Sequence, residues 1–268
     1  MYSSAVLVAA LMCWVLADVV IQGTKHFSWQ FLFAQPEDAG RSGGIGPILV
    51  STLGILLVAL LVALPLGLGV ALWLAEFATR NHRFAHMTGM TLDILAGVPS
   101  IVYGLFGNAF FSIYLGLGFS ILSGGLTLAC MILPVFIRTC EAGLRAVDND
   151  WRHGALALGM TRTAAIIHIL LPAARPAIIA GLVLGIGRAT AETAALIFTS
   201  GYVDRMPGSL LDSGRALAVH IYDLSMNVTG GDGAAYASAL VLVGLIIILN
   251  TLAQSLVDNW FKRRLAFS

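Results

Sequence analysis

The sequence predicts an all-α membrane protein with six transmembrane helices in one domain covering residues 1–268, and three observations point there. The chain is 58% hydrophobic and only 11% charged, with a mean hydropathy of +0.89, whereas soluble domains carry about a quarter charged residues. It contains six apolar runs long enough to cross a hydrocarbon core of about 30 Å. Its basic residues are gathered unevenly between those runs, as the positive-inside rule requires of a multi-pass protein.

The spans fall at about 3–21, 48–75, 92–115, 119–137, 177–199 and 235–257. The first lacks a basic leader and a small-residue cleavage site, so it reads as an uncleaved span and not as a signal peptide. The loop after it, 22–47, contains "PEDAGRSGG" and reads as flexible. In the third span Gly97 and Pro99 stand together, and Pro99 lacks the N–H that would complete the helical ladder, so a kink or break is expected. Ser100, Tyr103 with Gly104, and Gly107 with Asn108 follow at helical spacing. That stripe suits either a helix-packing face or a pore lining. Loop 200–234 holds "RALAVHIYDLSM", which fits a short amphipathic helix. Ten of the 15 Lys and Arg residues flank one side, in 76–91, 138–176 and the C-terminus, against Lys25, Arg41, Arg205 and Arg215 on the other. Both termini are therefore expected in the cytoplasm.

The fifth span carries two opposite charges, Arg188 and Glu192, although an ionised side chain at mid-bilayer costs roughly 2.5–3.5 kcal/mol on the lenient insertion scale. Four residues apart on a continuous helix they would share a face and neutralise one another. In the other reading both line a substrate path: Glu192 holds Arg188 and offsets its desolvation while the path is empty, and a passing oxyanion then competes for the arginine, whose planar fork stays charged and donates two parallel hydrogen bonds to phosphate oxygens. Thr190, Thr193 and Asn108 are further candidates for a polar path.

The 138–176 connection is patterned. Asp148 or Asp150 caps a short helix starting near Trp151, Gly159 stops it, and Thr161 caps a second helix running to Leu171 before Pro172. The stretch "WRHGALALGMTRTAAIIHILLPAARPAI" resembles the cytoplasmic EAA loop of bacterial ABC importer permeases, with Gly159, Ile169, Leu171 and Pro172 at that family's spacing. It departs from the pattern at His153-Gly154-Ala155, which replace Glu-Ala-Ala. "LPLGLGVALWLAEFA", "LDILAGVPSIVYGLFG" and "GRATAETAALIFTSG" resemble permeases of the phosphate-specific importer. The last, with "HIYDLSMN", is nearer its A-type subunit, although Thr190-Ala191 and Ala195 depart from that pattern. The resemblance implies that the loop docks on a cytoplasmic ATPase dimer, where ATP and Mg would bind. It also implies a homologous C-type permease alongside, a periplasmic phosphate-binding protein, and placement in the cytoplasmic membrane.

Other classes find less support. Nothing matches G-x-x-x-x-G-K-[ST], so the chain has no ATP-cradling loop and is not expected to be an enzyme or to bind a cofactor itself. Net charge +1 and no basic run longer than Lys262–Arg264 give no reason to expect nucleic acid. Cys13, Cys130 and Cys140 are odd in number and do not suggest a disulfide framework. His82 and His86 lack a third metal ligand, and His168 and His220 are isolated. Asp93 reads as a solvated interface residue. Ser120 with His220 lacks the setting of an intramembrane protease nucleophile. An ion-coupled secondary transporter would leave the patterned loop unexplained, while an importer of phosphonate, phosphite or sulfate stays open.

Overall fold

The computed structural model describes residues 2–78 and 83–266, with side chains from Ser3 to Asp258. It opens with α1 (Tyr2–His26) and the single-turn α2 (Trp29–Phe33). A two-residue antiparallel ladder follows, β1 (Pro36–Glu37) with β2 (Ser42–Gly43). Then come α3 (Gly46–Leu72), continued by a π turn at Trp73–Phe77, and α4 (Arg83–Ala96). Helix α5 (Ser100–Gly107) is extended by a second π turn at Asn108–Tyr114. After α6 (Ile121–Ala146) the chain forms α7 (Asn149–Ala157), α8 (Arg162–Ala165), a third π turn at Ile166–Leu170 and α9 (Leu171–Ala173). It ends with α10 (Arg175–Thr190), α11 (Ala194–Ile197), α12 (Leu217–Met226) and α13 (Asp232–Ala266).

Among the described residues four helices, α1, α3, α6 and α13, are long and apolar enough to cross a membrane unaided, and two bent pairs bring the number to six. Helix α4 meets α5 and its π turn at 104°, and the α8–α9 segment meets α10 at 67°. The third span is therefore broken where Gly97 and Pro99 predict a break, although it begins at Arg83 and not at 92. It is two helices separated at residues 97–99, where Pro99 can neither donate to the preceding turn nor let its neighbour stay helical.

Helix α6 is the hub. It packs along α3, where a Cβ on Gly125 would stand 2.5 Å from Val58, and against α10, where Gly181 lies beneath Phe136. Its first N–H groups, orphaned in any helix, are taken by the far loop. Ile121 N–H donates to Asp212 O at 3.0 Å, Leu122 N–H to Leu210 O at 2.9 Å, and Ser120 Oγ accepts from Ser123 N–H at 3.1 Å. Instead of ending at 137, α6 continues to Ala146, so the patterned connection starts later than 138. Glu141 pairs with Arg138 and Arg145 at i−3 and i+4, both at 2.9 Å, the spacing that supports a helix turn.

Three further expectations give way. The 22–47 loop is not loose. Its backbone is closed by Gly44 N–H to Gln35 O and Ile45 N–H to Phe31 O, and Ile45 is wholly buried. The fifth span, expected over 177–199, stops at Thr190 and resumes at Ala194. The last helix exceeds 235–257 at both ends.

Candidate functional site

Arg188 lies in the last turn of α10, half-buried, where the helix dipole favours a cation. Among the described residues its guanidinium makes no ion pair and no hydrogen bond, and it stands within electrostatic reach of Tyr103 on α5. The expected pairing with Glu192 is absent because no helix joins the two residues. Ala191 N–H and Glu192 N–H close the last turn of α10 on Gly187 O and Ala189 O. Glu192 Oε1 instead accepts the Ala195 N–H at 3.1 Å and so caps α11. Thr190 is 3% exposed and its hydroxyl donates to Ile186 O at 2.7 Å, so it faces helix packing and not a path. Thr193 and Asn108 are half-buried. Helix α5 reaches this break through Gly104, where a Cβ would stand 2.8 Å from Ala195 Cα. Arg188, Glu192 and Thr193 thus gather around one helix break with α5 alongside. The small-residue stripe divides: Tyr103, Gly104 and Gly107 are packing surface, with Gly107 pressed on Thr127.

A second cluster occupies the end that carries α7. Asp148 caps α7 through Asp150 N–H at 3.1 Å, Gly159 takes φ +73°, and Thr161 caps α8 through Ala164 N–H at 3.2 Å. His153, Gly154 and Gly159 are exposed, whereas Ala155 and Leu171 are buried and Ile169 and Pro172 half-buried. The outward face also carries Trp151, Leu156 and Leu158, which the sequence reading missed and which are 57%, 67% and 81% exposed. Apolar residues in a helix too short to span were the available signal.

The sequence also gave no hint of what holds this hairpin to α3. In the π turn Ala78 N–H bonds to Trp73 O at 2.8 Å, which leaves Leu74 O without its helical donor, and Arg145 Nη2 donates to it at 2.9 Å. Arg152 grips the Glu76 carboxylate at 2.6 and 3.3 Å, and Arg162 donates to Glu76 O while lying 4.7 Å from the centre of the Phe77 ring. Beside this cluster a cavity of about 340 Å³ is bordered by His86, Asp93, Arg138, Glu141 and Arg145. Asp93, expected as a solvated interface residue, is 63% exposed and also holds Arg138 through both carboxylate oxygens. No group of three potential metal ligands occurs among the described residues, and His82 lies outside them. His220 is fully buried and meets Arg215 at 3.4 Å.

The profile of the family described as "Binding-protein-dependent transport system inner membrane component" matches residues 63–265. The chain belongs to this family. It is therefore a multi-pass membrane component of an ABC-type transporter, a subunit that works with others. Among relatives of this permease, the "Probable ABC transporter permease protein YqgI" of Bacillus subtilis is 30% identical over 97% of the chain and 93% of that protein. The "Phosphate transport system permease protein PstA 1" of Mycobacterium tuberculosis is 31% identical over 98% of the chain and 88% of its own length. Among solved structures, the inward-facing MetNI methionine ABC transporter superimposes with TM-score 0.55 at 16% identity, covering 82% of the chain and 94% of that protein. That likeness is one of fold.

Proposed function

We propose that this permease is a subunit of an ATP-driven importer that carries inorganic phosphate across the cytoplasmic membrane. One observation carries the reading: a half-buried arginine at a helix break inside a membrane domain, with no partner among the described residues. A cation so placed is expensive unless an anion shares its site, and a tetrahedral oxyanion matches the donor geometry of its fork. Thr193 and Asn108 supply further polar lining. Glu192 holds the break from the other side, and Thr190 takes no part in contact. The relatives named for phosphate transport agree with this substrate.

The complex then contains this A-type subunit, a homologous C-type permease, a cytoplasmic ATPase dimer that binds ATP and Mg, and a periplasmic phosphate-binding protein. Both termini of the chain are cytoplasmic. The α7–α9 hairpin is the ATPase-docking surface, with His153, Gly154 and Gly159 outermost beside Trp151, Leu156 and Leu158, a short amphipathic element of the kind that seats in a partner's groove. Rigid-body movement of the halves exposes the Arg188 site to alternate sides.

The test is phosphate uptake by an Arg188→Gln permease that still co-purifies with its ATPase. Uptake is expected to fall by two orders of magnitude or more, roughly the loss of a charge-assisted hydrogen-bonded pair of 3 kcal/mol. Undiminished uptake would overturn the assignment. Sulfate or a phosphonate outcompeting phosphate in the wild type would move it to another oxyanion.

A further inference from the structure

Covalently, the α7–α9 hairpin is joined only to α6 and α10, so a push on it reaches those helices through the chain. Helix α3 is the main partner of α6 in the core, yet it has no chain connection to the hairpin. The structure provides one through side chains. Three arginines from three elements meet at the π turn that ends α3: Arg145 of α6 on Leu74 O, Arg152 of α7 on the Glu76 carboxylate, and Arg162 of α8 on Glu76 O. The π turn makes this possible, because its wider ring frees a carbonyl that an α-helix would occupy. Such single turns recur where a helix is re-aimed for function.

Glu76 is the centre of the cluster. Its side chain is 7% exposed and that of Arg152 is 21% exposed, so their contact is shielded from water. Arg152 also donates to Leu144 O at 2.8 Å and Val147 O at 2.6 Å, the carbonyls that close α6. The guanidinium therefore bolts together the end of α6, the start of α7 and the end of α3. A bidentate, partly desolvated pair of this kind holds direction as well as distance, which a surface ion pair does not.

We propose that Glu76 is the positioning residue through which the hairpin moves α3, so that movement of α7 and α8 is delivered to the central α3–α6 pair and not to α6 and α10 alone. The inference rests on the reading of the hairpin as the ATPase-docking surface. Without the Glu76 carboxylate the hairpin still docks, because its outward face is untouched, but α7 loses its grip on α3, and with only the Arg162 contact to the Glu76 main chain left from the hairpin, α3 follows it less closely.

The experiment compares wild type with Glu76→Gln in the complex assembled with its ATPase, using two readings. In proteoliposomes, phosphate moved per ATP hydrolysed is expected to fall about tenfold, within the usual range of coupling energies, while hydrolysis persists. In the same complexes, spin labels at exposed Leu66 on α3 and exposed His168 on the hairpin's π turn, away from Trp151, Leu156 and Leu158, report the distance between α3 and the hairpin, on a background lacking Cys13, Cys130 and Cys140. In wild type that distance changes by no more than about 1–2 Å on adding ATP, whereas in Glu76→Gln it changes by about 5 Å. Unchanged distance in the variant overturns the proposal, as does a parallel loss of uptake and hydrolysis with their ratio intact. If Glu76→Gln does not co-purify with the ATPase, Glu76→Asp, which keeps the charge and shortens the reach, is judged by the same readings. A wild-type complex that moves no phosphate would overturn the substrate reading alone, since the distances still decide this one.

Discussion

Glu192 and His220 show how much one side chain decides in a membrane domain. By accepting the Ala195 N–H, Glu192 gives α11 the first-turn acceptor that a restarted helix needs. Glu192→Ala is expected to lower stability by about 1 kcal/mol. Glu192→Gln, which keeps a carbonyl oxygen at the same reach, should lose less than half of that. Thermal unfolding of both variants in one detergent checks the order, and equal losses would show that charge and not the cap is at work. His220, on α12, is buried among Arg215, Asp223 and Asp204. Burial, aided by the Arg215 charge, pushes its pKa down to about 4. An unfolded histidine titrates near 6.5, so between those values the unfolded chain holds more protons than the folded one. Stability is therefore full above about pH 6.5 and declines as pH falls towards 4, by about 3 kcal/mol from this residue. A His220→Leu permease should show a flatter melting curve across that window, and an unchanged slope would remove His220 as its cause.

At the level of elements, the decisive contacts are those that let backbones approach. Gly107 of α5 sits directly against Thr127 of α6, and a Cβ there would overlap the threonine side chain. Gly107→Val is expected to destabilise the protein by about 1–3 kcal/mol through overpacking, lowering its melting temperature, whereas Val at Gly69, which has open space around it, should leave it nearly unchanged. Elements were legible in the sequence where the signal was local. The uninterrupted apolar runs of α1, α3, α6 and α13 announce themselves by length and composition. The break between α10 and α11 does not, since Ala191, Glu192 and Thr193 include neither glycine nor proline. What opens it is tertiary: Gly104 admits α5 against Ala195, and Glu192 caps the new start. Arg188 was visible as an out-of-place charge, but its lack of a partner among the described residues followed from that break. The three-arginine cluster on α3 was invisible because Arg145, Arg152 and Arg162 are separated from their acceptors by about seventy to ninety residues, and because π turns carry no sequence signature comparable to a proline.

Across the whole molecule, burial is distributed unevenly. The α6 span is 67% buried within the protein, that of α13 only 6% and that of α1 not at all. Helix α1 lies against α13, with Gly23 on Leu240 and Asp18 accepting the Tyr236 hydroxyl at 3.1 Å, and no residue of its span enters the clusters that form the core. The family profile likewise begins at residue 63, beyond α1. Lipid supplies no hydrophobic drive between helices, so α1 is retained by close packing together with intramembrane hydrogen bonds such as that of Tyr236 to Asp18, each worth about 0.6 kcal/mol on average. Deleting residues 2–26 should therefore leave the α3–α6–α10 core folded, lowering its melting temperature by only a few degrees, and should leave Arg188 and the Glu76 cluster in place. Binding to the co-expressed ATPase, measured by co-purification, is expected to persist, because the α7–α9 surface lies on other elements. A shortened chain that aggregates, or that folds but no longer retains the ATPase, would show that α1 belongs to the structural core despite contributing no residue to its hydrophobic clusters.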